Sequence, residues 1–119
     1  MIKAVLLLRR KPGMSREDFI AHYDRVHAPL TLELVPGIAE YRRLFVNPGP
    51  TPFGHPDAQL DFDVVTEMTF ASQQDYDRAM EAMRDEKVAR LLGEDQAALF
   101  DGTAPNRRFF ATESVSGTS

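Results

Sequence analysis

At 119 residues the chain has length for one self-supporting core, and without cysteine it has no disulfides, thiolate nucleophiles or cysteine metal sites. A formal charge of −4 and a pI near 5.3 argue against nucleic acid as a partner, which would need a basic face. The N-terminal apolar run Ala4–Leu8 is too short for a signal segment, and no stretch approaches the roughly twenty apolar residues of a membrane span. A cytoplasmic protein with no membrane partner is therefore expected.

In chain order, Ile2 to Arg10 reads as a strand with Ile2, Ala4, Leu6 and Leu8 on one face and Val5 and Leu7 on the other, apolar on both sides. Lys11-Pro12-Gly13 turns the chain. Ser15 is placed to cap a helix, with Asp18 adding negative charge at its start. Phe19, Ile20, Tyr23, Val26 and Leu30 recur at helical spacing as an apolar stripe. At about 100° per residue His27 falls on that stripe, and His22 falls about 60° outside it. Pro29 cannot donate a backbone hydrogen bond and disfavours helical backbone at Ala28, so the regular helix should end or kink near His27. A short continuation through Thr31–Leu34 leads to a turn at Pro36-Gly37.

Ile38 to Val46 reads as a second strand, with Tyr41 and Phe45 on one face and Ile38, Leu44 and Val46 on the other. Asn47 to Asp61 is rich in proline and glycine and is expected to be an irregular loop, with Phe53 and His55 able to dock as a lid. Phe62 to Phe70 is a third strand, carrying Phe62, Val64, Met68 and Phe70 opposite Asp63, Val65, Glu67 and Thr69. Ser72 caps a further helix with Tyr76, Ala79, Met80 and Met83 inward. Another helical stretch runs from Lys87 to Phe100, with Gly93 a point at which it can break. Arg107 to Val115 is a fourth strand, and Ser116–Ser119 a loose tail following one domain over residues 1–115.

Ser-x-x-Asp-aromatic occurs at both helix starts, SREDF and SQQDY, each after an apolar strand. That echo fits two βαβ halves, β-α-β-β-α-β, an α+β ferredoxin-like fold with a four-stranded antiparallel sheet. Both helical segments would then cover one sheet face, and the apolar open face would be covered by a second subunit, giving a homodimer.

The run KPGMSREDFIAHYDRVHAPL, followed by PGIAEY, VVTEMTFAS, LFD and a closing FATE, resembles the EthD family of the dimeric α/β-barrel superfamily, over nearly the whole chain. The resemblance implies a dimeric barrel. It also implies functions that range over cofactor-free lactone isomerases, polyketide cyclases, dehydratases and monooxygenases, with more distant barrel relatives binding haem. In isomerase-like members a pocket is lined by two histidines and a tyrosine. By position these resemble His27, Tyr41 and His55.

His27 on an apolar stripe is either a hydrogen-bonded core histidine or a general acid or base, since its proton exchanges near neutral pH. Tyr41 is either packing or a proton relay, and His55 is by default a solvated loop residue. Glu67 on the open sheet face would be disfavoured in its charged form if a second subunit buried it, or would pair with an arginine such as Arg43. Glu67, Phe53 and Tyr23 are the expected substrate contacts. The basic clusters at Arg9–Lys11, Arg42–Arg43 and Arg107–Arg108 are either a solvated rim or a hold for an anionic ligand. His22 and His27 diverge on a regular helix and His55-Pro56-Asp57 is a weak coordinating pair, so no metal is expected. The reading is a cofactor-free enzyme moving protons on an aromatic, polyketide-like or lactone metabolite by isomerisation, cyclisation or dehydration. A cofactor-independent monooxygenase and a non-catalytic small-ligand or haem carrier are the alternatives.

Overall fold

The computed structural model describes residues 1–56 and 59–117. It places β1 at Ile2–Leu8, α1 at Arg16–His22, a π-helical turn at Tyr23–His27, α2 at Ala28–Leu34 and β2 at Ile38–Phe45. β3 at Val64–Phe70, α3 at Gln73–Arg84, α4 at Glu86–Leu99 and β4 at Arg107–Ala111 complete it. The four strands lie in the order β2-β3-β1-β4, all antiparallel, which is the ferredoxin-like arrangement expected from the two echoed halves. Asp57, Ala58 and the last two tail residues lie outside the described residues, and with them the expected His55–Asp57 pair and the end of the expected loose tail.

Both expected caps form: the Ser15 and Ser72 hydroxyls accept from the backbone N–H of Asp18 and Asp75, each at 3.1 Å. A single residue, Asp85, separates α3 from α4 and accepts from the N–H of Val88, and α4 runs unbroken through Gly93. Gly37 sits at φ +90, and a Cβ there would lie 2.6 Å from the carbonyl oxygen of Asp75. Only glycine lets the turn into β2 press against the first turn of α3.

All four helices pack on one sheet face, against Ile2, Ala4, Leu6 and Leu8 of β1 and Val64, Met68 and Phe70 of β3. The strand reading of β2 needs one correction. A register shift between Ile38 and Glu40 inserts an extra residue against β3, so Ile38 joins Tyr41 and Phe45 on the helix side. The opposite face carries Leu7, Val65, Leu44 and Phe109, the last two about half exposed.

The first helix departs most from a regular stripe. Regular α-helix gives way at Tyr23–His27 to the π turn, close to where an end or kink was expected, but the chain stays helical through it: Ala28 keeps helical backbone (φ −65, ψ −46) and donates to Tyr23, five residues back. The wider turn makes room for the Pro29 ring, which would otherwise press on the preceding turn. It also moves the buried face. Phe19, Tyr23, His27, Ala28 and Thr31 are buried, whereas Val26 turns outward at 45% exposure.

Candidate functional site

Between the helices and their side of the sheet lies a cavity of about 640 Å³. Its deep end, over β2 and β3, is lined by Tyr23, His27, Thr31, Tyr41 and Thr66. Met68, Phe70, Met80, Met83 and Leu92 line an apolar middle, and Asn106, Arg108 and Phe110 stand at the β4 edge. The imidazole and hydroxyl groups cluster at one end, Asn106 and Arg108 stand at the other, and a flexible, Met-rich wall lies between, a pattern typical of small-molecule sites.

His27 is 4% exposed, with its ring edge-on to Tyr23 and Phe100. Its Nδ1 lies 2.7 Å from Oδ2 of Asp95, and the other carboxylate oxygen, Oδ1, lies 2.8 Å from Nε2 of His22. An ionised carboxylate only accepts, so His27 donates through Nδ1–H and keeps Nε2 as its basic nitrogen. Burial, only partly opposed by the bond to Asp95, holds the His27 pKa below the usual value near 6.5. The ring is thus a neutral base in a fixed tautomer. The π turn permits the shared partner, because its i to i+5 repeat brings onto one side two histidines that a regular helix would splay.

Beside His27 a hydroxyl cluster forms. Tyr23 Oη is 2.6 Å from Thr66 Oγ1 and 3.0 Å from Tyr41 Oη. Arg43, held by Asp24 at 2.9 Å, lies over both tyrosine rings, 5.1 Å from the centre of Tyr41 and 5.6 Å from that of Tyr23. Burial raises both tyrosine pKa values, so the phenols stay protonated and can donate. The site therefore offers a base and hydroxyl donors within one small volume.

Of the residues expected in a site, the structure brings His27, Tyr41 and Tyr23 together and separates the rest. His55 is exposed in the loop, Phe53 is 97% exposed, and no described residue of the 47–61 loop lines the cavity. Thr51 bonds the backbone carbonyls of His55 and Pro56, which folds the loop on itself. Glu67 points to the opposite sheet face because alternate β3 residues face opposite ways, and its partner is Lys3 at 3.0 Å and not Arg43. Asp95 escaped the sequence reading. On an amphipathic helix, in the run GED, it looks like a solvated carboxylate, and no local spacing links it to histidines about seventy residues earlier. Among the described residues no group of three or more ligating side chains could hold a metal.

A family model described as the EthD domain matches residues 11–103. No curated protein matches the chain. Among solved structures, an ethyl tert-butyl ether d (EthD) family protein from Bacillus halodurans is 23% identical with a TM-score of 0.61, covering 96% of this chain and 100% of that one. HapK from Hahella chejuensis matches at 12% identity and a TM-score of 0.63, covering 100% and 98%. SnoaB from Streptomyces nogalater, a cofactor-independent oxygenase, matches at 11% identity and a TM-score of 0.54, covering 100% of both chains. At these identities the structural matches speak for a shared fold.

Proposed function

The chain belongs to the EthD domain family, and from that premise we propose that it is a small cofactor-free enzyme that moves protons on an aromatic, polyketide-like or lactone metabolite. The observation that carries this reading is His27, buried on the wall of an apolar cavity with its Nδ1 bonded to Asp95. A neutral imidazole with Nδ1–H committed to a carboxylate has its Nε2 lone pair free to take a proton from an acidic C–H or phenolic O–H. Tyr23, Tyr41 and Thr66 would donate to the oxygen on which charge builds as that proton leaves. Returning the proton elsewhere on the substrate gives isomerisation. Loss of a β-hydroxyl gives dehydration, and attack by the carbanion on a carbonyl within the same molecule gives cyclisation.

The test uses 2-tetralone, a bicyclic ketone with exchangeable α-protons, in D₂O. Deuterium incorporation followed by NMR should be faster with protein than with buffer, and His27→Gln should lower the catalysed rate roughly 10²–10⁴-fold. Exchange at an equal rate in wild type and His27→Gln rejects the base assignment. A second reading, a cofactor-independent monooxygenase, is favoured by the likeness to SnoaB. It shares the deprotonation and differs in oxygen uptake. Oxygen-electrode traces on a dihydroxynaphthalene, with and without protein, separate the two.

A further inference from the structure

We propose that the cavity takes an anionic amphiphile, a ring system of about two fused rings carrying a carboxylate that Arg108 holds at the β4 edge. The proposal deepens the reading of this cavity as a ligand site and rests on it. Arg108 pairs across the sheet with Leu6, whose side chain packs toward the helices, so the guanidinium stem rises on the cavity side. Its neighbour Arg107 points the other way and is paired with Asp61. Arg43 and Arg9 likewise have carboxylate partners, in Asp24 and Asp101. Among the described residues Arg108 has no ion pair or side-chain hydrogen bond. An unpaired guanidinium at the rim of an apolar cavity is matched in charge and in planar geometry by a carboxylate.

Asn106 supplies a second, independent sign. It lines the same edge, and its Oδ1 is the one buried side-chain oxygen or nitrogen without a hydrogen-bond partner among the described residues. A native structure rarely strands such a group unless something absent completes it. Because an amide can present either its oxygen or its NH₂, the Asn106 head can turn and donate to an oxyanion bound by Arg108.

Sheet geometry sets the length of the ligand. Thr66, Leu6 and Arg108 stand in one cross-strand row, and two strand spacings of about 4.8 Å separate the deep hydroxyl from the guanidinium stem by about 10 Å. A hydroxyl or carbonyl oxygen at the Tyr23–Thr66 end and a carboxylate at Arg108 then bracket two fused rings over the methionine-lined middle.

The experiment titrates the protein by fluorescence with 6-hydroxy-2-naphthoate and with 6-hydroxy-2-naphthamide, its uncharged counterpart, at low salt. The acid should bind about tenfold more tightly or better, and the gap should narrow as salt is added. In Arg108→Gln the preference should vanish while the amide keeps its wild-type Kd, which also shows that the variant is folded. Equal affinities in wild type, a preference that survives Arg108→Gln, or no binding of either probe overturns the proposal. The readout needs no turnover: acid selectivity combined with failed deuterium exchange would leave Arg108 in place and remove the base assignment, and the reverse result would do the opposite.

Discussion

A neutral imidazole has one nitrogen that donates and one that accepts, and at His27 the bond to Asp95 decides which is which. Asp95→Asn keeps shape but can offer its NH₂ to Nδ1, turning the tautomer over and leaving N–H where a base is needed. The expected result is a rate loss of about 10² or more with ligand affinity little changed, read as kcat against KM. The loss of negative charge also shifts the acid limb of the pH profile to lower pH, since Asp95 is what opposes the lowering by burial. Stability carries the same signature. The folded-state pKa of His27 lies below its unfolded value near 6.5, so the unfolded chain binds the extra proton first. The stabilisation is complete above about 6.5 and drains as pH falls toward the folded value. The charged and titratable groups facing the ring are Asp95, Tyr23 and, through Asp95, His22. Urea midpoints measured between about pH 5 and pH 8 should decline on the acid side in wild type, and less steeply in His27→Gln.

At the scale of elements, two glycines of unequal standing give a paired test. Gly37→Ala places a methyl against the Asp75 carbonyl at positive φ, and should cost about 1–3 kcal/mol in chemical denaturation. Gly93→Ala lies mid-helix with open space around it and should gain roughly 0.5–1 kcal/mol. Because Gly93 lines the cavity, the same methyl should weaken binding of a bicyclic ligand. The four strands, their ferredoxin-like arrangement and the caps were legible in the sequence because alternation and capping are local rules, whereas Tyr41 entered the site through family position. What was not legible depended on partners distant in sequence or on small irregularities. Asp95 meets His27 only after two sheet halves fold together, the extra residue near Ala39 reverses Ile38, and the π turn exchanges Val26 for Thr31 in the core. His55 was assigned through family position and Phe53 as an apolar anchor of the loop, and no described residue of that loop lines the cavity.

For the whole molecule, the sheet face without helices is the unsolved surface. Leu44, Val65 and Leu7 form an apolar row across it, and Phe109 stands beside them. On the same face, toward the start of β1, Lys3 is drawn between Glu67 at 3.0 Å and Glu113 at 3.2 Å, which holds the ammonium pKa above its usual value. A second copy laid face to face would bury this row, on the order of 1,200 Å² or more in total for a stable association. Light scattering at micromolar concentration should then report twice the 13.4 kDa of one chain, and Leu7→Glu should return it to a monomer. A monomeric wild type would refute the pairing. None of the helices described is long and apolar enough to cross a membrane.

The π turn leaves the helix with a choice of ladder. In a regular α-ladder Val26 would rotate into the core beside Phe19 and Leu30, as its spacing with them suggests, and His22 and His27 would part company. The observed ladder instead exposes Val26 and lets Asp95 clasp both rings. One segment thus encodes a rival winding that is apolar and chemically silent, held off by a proline ring and a carboxylate. Val26→Asp penalises only the rival, so it should leave stability within about 0.5 kcal/mol and activity intact. Pro29→Ala lifts the bar against it, and a drop in turnover accompanied by a gain in helical circular dichroism would mark the segment rewinding.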